Sequence, residues 1–389
     1  MWIKHLSLTY FRNYRKQEID LSRGLTLLLG DNAQGKSNLL EAAFLVATTR
    51  SERAGTDADL ISWTALKEAQ PVARVVAQVE RADGPLELEV IIAGRPSAAR
   101  VKQWTASKRL RVNGVPRRSV DVVGQLTAVL FTTNDLELIS GPPSGRRRYL
   151  DVTLSQLDPQ YFRARQRYEK VMTQRNALLR RIQSGEAKQS ELDFWDEELA
   201  RDGAFMMIAR AHAVDALAEH ARAAHKNLSA GAEELSITYA LRLDGWDTKR
   251  ILKKQGDLPA AIVDAHSAGR ARDIGSGLTL TGPHRDDLAF LLNGVAAASF
   301  ASRGQQRTAA LSLRLAEATF MADRKGDLPV VLLDDVLSEL DEARRHAVLH
   351  SLGDWDQLIM TSADQDRFDI KLPSDTKTYR VKNGTIRKN

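Results

Sequence analysis

The chain of 389 residues contains no cysteine. Disulfides, thiolate metal sites and a cysteine nucleophile are therefore excluded, and the composition fits a reducing compartment. No uninterrupted apolar run is long enough to span a bilayer. The opening residues, Met1-Trp2-Ile3-Lys4-His5-Leu6, lack the charged-then-apolar order of a secretion signal. Internal repeats and low-complexity tracts are absent as well. Together these absences predict a soluble cytoplasmic protein without a membrane partner. What is present is ordinary for a globular chain: 43% apolar and 27% charged residues, with length enough for two domains. The net charge of +6 suits an anionic partner such as nucleic acid, although many basic proteins bind none.

The most informative stretch is Gly30-Asp31-Asn32-Ala33-Gln34-Gly35-Lys36-Ser37. An apolar run at 25–29 precedes it, with the length of a buried parallel strand. A helical stripe of Leu39, Leu40, Ala43, Phe44 and Val46 follows. Strand, glycine loop and helix are the context a phosphate-binding P-loop requires. Gly30 and Gly35 let the loop wrap closely, so that its N–H groups and the helix start face phosphate oxygens. In such a site Asp31, Asn32, Ala33, Gln34 and Asn38 line the nucleotide, Lys36 reaches the β- and γ-phosphates, and Ser37 ligates Mg2+. The plain alternative is a glycine-rich turn that happens to precede Lys-Ser.

Around this core the pattern predicts two paired strands within 1–29, with Arg12 and Asn13 at a turn where they either reach a nucleotide or form a solvated strand end. Strands are predicted at 72–80, 86–92 and 110–112, the last meeting a hairpin turn at Asn113-Gly114. A meander of this kind suggests an antiparallel sheet beside a mixed α/β core. A breaker cluster at 140–145 runs into Arg146-Arg147-Arg148, which is either a phosphate contact or a solvated face pairing with nearby acids. From 150 to 184 the pattern is helical, with a face dense in Arg163, Arg165, Arg167, Lys170, Arg175, Arg180 and Arg181. Such a face is usually solvated, with DNA phosphate as the rival reading. A second long helix is predicted at 191–228, a strand at 235–243 and a helical region at 248–273. Residues 151–277 are accordingly assigned to an inserted helical lobe between two halves of a head, 1–150 and 278–389. His284, Arg285, Asp286 and Asp287 are contiguous and cannot converge on one ion; an ion-pair cluster or a joint at the lobe boundary is predicted there.

A second apolar strand, ending in Asp334-Asp335, has the form of a Walker B element. Asp334 would share the Mg2+ of Ser37, and Asp335 would orient an attacking water; a helix cap is the plain alternative. Ser302-Arg303-Gly304-Gln305 opens a helix and offers a hydroxyl, a permissive glycine and free N–H groups to an anion. Alone it is weak, but the order P-loop, insertion, Ser-x-Gly-Gln helix and Walker B strand is that of an ABC-type ATPase head. In that class Ser302, Gly304 and Gln305 would complete the site of another copy. Asp341 falls at a D-loop position, and Thr361 or Ser362 where a γ-phosphate-sensing switch residue stands.

The chain closely resembles the RecF family, recombination mediators related to the SMC head. The matching pieces are Phe11-Arg12-Asn13-Tyr14, the P-loop, Gly141-Pro142-Pro143 with its three arginines, 282–287, 302–307 and 333–341. They span nearly the whole chain in order. One departure is Phe131-Thr132-Thr133-Asn134-Asp135-Leu136, where the family usually has Pro-Glu before Asp-Leu. The resemblance implies an ABC-type P-loop ATPase head with a helical insertion. It implies binding of ATP and Mg2+, slow hydrolysis, and an ATP-dependent homodimer on double-stranded DNA or ss/ds junctions. It also implies RecR- and RecO-like partners in recombinase loading at gaps, and a nucleoid-associated location. Two rival readings remain: the ATPase subunit of a membrane transporter, which would share the P-loop, signature and Walker B, and a small-molecule kinase, which rarely needs a signature helix.

Overall fold

The computed structural model describes residues 1–96, 104–352, 355–363, 373 and 375–388. The chain forms two compact units, one of residues 1–135 with 317–389 and the other of residues 136–316.

In the first unit, apolar runs with both faces covered become parallel strands. Gly24–Leu29, Gln357–Ser362, Val330–Asp334 and Ala128–Thr132 lie side by side in that order, with Lys377–Lys382 parallel on the other edge of Gly24–Leu29 and Thr385–Lys388 closing the sheet as an antiparallel hairpin. A second, antiparallel sheet has the order Tyr14–Asp20, Trp2–Phe11, Val72–Glu80, Leu86–Pro96, Trp104–Val112, Val115–Arg117. The Asn113-Gly114 turn has positive φ at both residues (50° and 77°), as a two-residue hairpin needs. The helix Lys36–Thr48 packs against strands of both sheets. Eleven of its 13 residues are buried, which makes it a core helix rather than an amphipathic surface one.

The second unit is mainly helical. Pro143–Leu157, Pro159–Gln183, Leu192–Leu228 and Leu258–Ser276 are its long helices, with a three-stranded sheet of Val295–Ala296, Asp287–Leu292 and Leu235–Ala240. The helical pattern expected as one piece from 150 to 184 breaks at Asp158-Pro159. The residue before a proline is driven out of the helical region, and Asp158 is extended (φ −132°, ψ 108°), its carboxylate accepting from Gln160 N at 2.7 Å.

Contacts draw the unit boundaries at 135/136 and 316/317, whereas the sequence pattern drew them at 150/151 and 277/278. The reason lies in pairings that no local pattern reveals. Strand Asp287–Leu292 pairs with Leu235–Ala240, and Arg146 forms a two-pronged bond to Asp287 (2.7 and 2.9 Å). Residues on both flanks of the insertion thereby join it.

The basic face of Pro159–Gln183 is also less free than its composition predicts. Arg175 is fully buried, bonded to Asp196 Oδ1 and Asp273 Oδ2 at 2.7 Å each and to Thr279 Oγ1 at 2.9 Å. Arg165 is buried too, and Arg167 grips Asp202 at 2.6 and 3.0 Å. A guanidinium tolerates burial only with carboxylates to match it, and Arg175 has two. Of the three consecutive arginines, Arg146 holds Asp287 and Arg147 donates to Asp286 O (2.9 Å), so both are committed within the unit. Among the described residues no helix is long and apolar enough to cross a membrane.

Candidate functional site

The site forms where parallel strands of the first unit end. Leu29 delivers the chain into the loop 30–35, which reverses through three positive-φ residues, Gly30 (156°), Ala33 (63°) and Gly35 (120°). Space as well as torsion requires glycine here. A Cβ on Gly35 would lie 2.7 Å from Asn13 Nδ2, and one on Gly30 would lie 2.2 Å from Val381 O. Lys36 opens the following helix and folds back over the loop, its Nζ donating to Gly30 O (2.6 Å) and Asp31 O (2.9 Å). Burial pushes the Lys36 ammonium below its ordinary pKa, while Asp335, Asp334 and Asp31 push it back up.

Register brings the second strand end beneath the loop. Val330–Asp334 is separated from Gly24–Leu29 by Gln357–Ser362, with Asp334 level with Thr361. Ser37 Oγ donates to Asp334 Oδ1 at 2.7 Å, and Thr361 Oγ1 donates to the same oxygen at 3.0 Å. Thr361 Oγ1 also accepts from Asp335 N at 2.9 Å. Asp335 is left-handed (φ 53°), and its Oδ1 is buried with no hydrogen-bond partner among the described residues. Lys36, Ser37, Asp334, Asp335 and Thr361 therefore converge.

Arg12 and Asn13 meet the loop by another route. The Arg12 guanidinium forks onto Glu41 of the loop helix (2.7 and 2.8 Å) and donates to Asp59 O (2.8 Å). Glu41 is buried and also accepts from Ser51 Oγ (2.5 Å). Asn13 Nδ2 donates to Gln34 O (2.9 Å), and Asn38 Nδ2 donates to Asn13 Oδ1 (2.8 Å). The side chains expected at the nucleotide thus brace the loop and its helix. Sequence reasoning missed Glu41 and Tyr14, whose buried hydroxyl donates to Gly35 O at 2.9 Å. The available signal was a lone carboxylate among Leu39, Leu40 and Ala43 on the helix whose apolar stripe the sequence showed.

Asp135, in the segment that departs from the family pattern, accepts from Thr132 N at 2.8 Å and so closes the turn after its strand. Asp341 caps the helix Glu342–Ser351, accepting from Arg344 N at 2.8 Å. Ser302, Gly304 and Gln305 belong to the second unit, at the start of the helix Arg303–Lys325. There Ser302 N donates to Gln305 Oε1 (2.8 Å) and Gln305 N to Ser302 Oγ (3.3 Å), a reciprocal capping box. Gln305 Nε2 donates onward to Glu233 Oε1 at 2.9 Å.

The residues at 284–287 do not converge: His284 and Arg285 share Thr279 O, while Asp286 and Asp287 turn to other partners. His284 lies between Tyr168 OH (2.7 Å) and Thr279 O (2.9 Å), and Arg285 donates to Thr279 O. Asp286 accepts from Tyr239 OH (2.6 Å) and Arg242 N (2.8 Å), and Asp287 from Arg146. Among the described residues no group of His and acidic side chains could hold a metal ion by itself.

The family model described as the RecF/RecN/SMC N terminal domain matches residues 2–387. Proteins described as DNA replication and repair protein RecF are similar over 99% of both chains in Chloroflexus aggregans (43% identical) and Roseiflexus castenholzii (43%). A solved structure of the recombination mediator protein RecF with ATP, in the RecFOR pathway, superposes with a TM-score of 0.86 at 29% identity, covering 100% of this chain and 97% of that one. An Smc head bound to the C-terminal winged-helix domain of ScpA shares the fold at 17% identity (TM-score 0.51). The α/β architecture is thus that of an ABC-type ATPase, and a transporter subunit finds no support among these relatives. With such matches over essentially its whole length, the chain belongs to the RecF family.

Proposed function

We propose that this protein is an ATP-dependent, DNA-binding mediator of replication and repair, with slow ATP turnover acting as a switch between two copies of the chain. One observation carries this reading: Ser37 and Thr361 both bond the Asp334 carboxylate beneath a glycine loop whose lysine lies over the loop's own carbonyls. The residues fit Mg-ATP. Ser37 Oγ and Asp334 are oxygen donors of the kind Mg2+ selects, and the unpartnered Asp335 Oδ1 fits a carboxylate reserved for water. When bound, the metal neutralises charge on the phosphates.

In this reading the residues 30–38 hold the phosphates through loop N–H groups, and Lys36 exchanges its two carbonyl partners for phosphate oxygens. Asp335 orients the attacking water, and Thr361 fixes the Asp335 backbone. The first unit acts as the nucleotide-binding head. Ser302, Gly304 and Gln305 of a second copy complete the site from across a dimer, with Asp341 at the same junction. ATP then acts as linkage: a ligand bound by two copies at once favours the dimer, and hydrolysis removes that advantage. Relatives described as RecF, and a RecF structure in the RecFOR pathway, support DNA and RecR- or RecO-like proteins as partners.

Sedimentation with and without Mg-ATP and a gapped DNA, at two salt concentrations, tests the proposal. An ATP-dependent dimer that Ser302→Arg abolishes while ATP binding persists is the expected result, with DNA affinity falling as salt rises. Unchanged sedimentation with ATP would refute it.

A further inference from the structure

The phosphate loop is held from outside by a turn that the nucleotide reading does not use. Lys377–Lys382 and Thr385–Lys388 form a hairpin closed by Asn383-Gly384, with positive φ at both residues (47° and 68°). Its first strand lies parallel to the loop's own strand, pairing Lys377 with Thr26 through to Arg380 with Leu29. That register carries the hairpin past Leu29 at the same level as the loop. Val381 O comes so near that a Cβ on Gly30 would sit 2.2 Å from it. Gly30 therefore serves the hairpin's approach as well as any phosphate.

The contact centres on Gln34. Its carbonyl accepts from Gly384 N at 3.0 Å and from Asn13 Nδ2 at 2.9 Å, using both lone pairs. Its side-chain Oε1 accepts from Asn383 N at 2.8 Å. Gly384 packs onto Asn13, where a Cβ would lie 2.3 Å from Asn13 O. On the far side, Ile386 N donates to Gln17 Oε1 at 2.8 Å, tying the hairpin to the strand Tyr14–Asp20. Residues near both ends of the sequence thus hold one peptide of the loop.

We propose that the Asn383-Gly384 turn, with Asn13, is a positioning element for nucleotide binding: it clamps the Gln34 peptide and so keeps the loop N–H groups aimed inward. This inference rests on the ATP reading above. A loop passing through left-handed Ala33 is not the lowest-energy path for a free chain and needs outside support to persist. Each lost hydrogen bond lowers the fraction of molecules in the binding geometry, and apparent affinity falls by that fraction. The reacting atoms are untouched, so the turn acts on affinity and not on the chemical step.

The test measures ATP affinity with a fluorescent analogue and Mg2+, ATP turnover, and thermal melting. Gly384→Ala strains a positive-φ position and drives a methyl group into Asn13 O. It is expected to raise Kd and KM about tenfold with kcat within about twofold. Gln34→Ala leaves every backbone group in place and removes the bond from Asn383 N together with a long one from Gln34 Nε2 to Asn32 O (3.4 Å), so about threefold is expected, and this variant keeps the test open if Gly384→Ala folds poorly. Asn383→Gly keeps both the N–H and the positive φ and should match the parent. A folded Gly384→Ala or Gln34→Ala with parental Kd, or a lowered melting temperature with unchanged Kd, overturns the proposal. Lys36→Met separates the two levels: if it still binds ATP, the nucleotide reading itself fails, whatever the turn variants do.

Discussion

Ser37 Oγ stands 2.7 Å from Asp334 Oδ1, although 297 positions separate the two residues in sequence. Thr361 shares that oxygen and also accepts the Asp335 N–H, so three separate segments meet on one carboxylate. Asp334→Asn keeps the shape and removes the charge. ATP turnover is expected to fall by at least about 100-fold at every Mg2+ concentration, with melting nearly unchanged. Phosphate release measured across a Mg2+ titration checks this. Thr361→Val, by contrast, strands the Asp335 N–H and should cost about 1–3 kcal/mol of stability, read from denaturant melts.

Arg12 and Glu41 form the second pair open to test. Glu41 is buried, and the Arg12 fork supplies its countercharge. Removing one partner of a buried pair leaves an uncompensated charge, at about 3–5 kcal/mol. Arg12→Ala should destabilise the fold by that order, whereas Arg12→Ala with Glu41→Gln should recover part of the loss. A double-mutant cycle by chemical denaturation measures the coupling. Additive effects would show that Arg12 does not act through Glu41.

His284 makes a prediction about acid. Its Nε2 faces a carbonyl, Thr279 O, which can only accept, so Nε2 carries the proton and Nδ1 accepts from Tyr168 OH. Burial pulls its pKa down to about 4, with Arg285 adding to the fall and the Thr279 bond opposing it. The unfolded chain, titrating at its ordinary value of about 6.5, binds more protons between those limits, so stability falls as pH falls through that window. Between pH 7 and pH 5 the residue should cost about 2 kcal/mol. Urea melts of the parent and of His284→Gln at both pH values check it: the parent should lose more than the variant.

The motifs were legible because each is local. A glycine loop between an apolar run and a helical stripe fixes strand, turn and helix within some twenty residues, and Asn113-Gly114 announces its own hairpin. Asn383-Gly384 carried the same signal, yet nothing local shows that its turn lands on Gln34. Arg175 shows the opposite failure. By period it belongs to a basic face, but Asp196 and Asp273 arrive from other helices and bury it.

The sequence by itself determined the family, the α/β class and the strand, glycine loop and helix that follow one another across 24–48, because those reside in short-range pattern and spacing. Tertiary structure decided what the neighbouring side chains do. Arg12 turns to Glu41, Asn13 to Gln34, and Thr361 to Asp334 and Asp335, since strand register and parallel pairing set which distant groups come within hydrogen-bond reach.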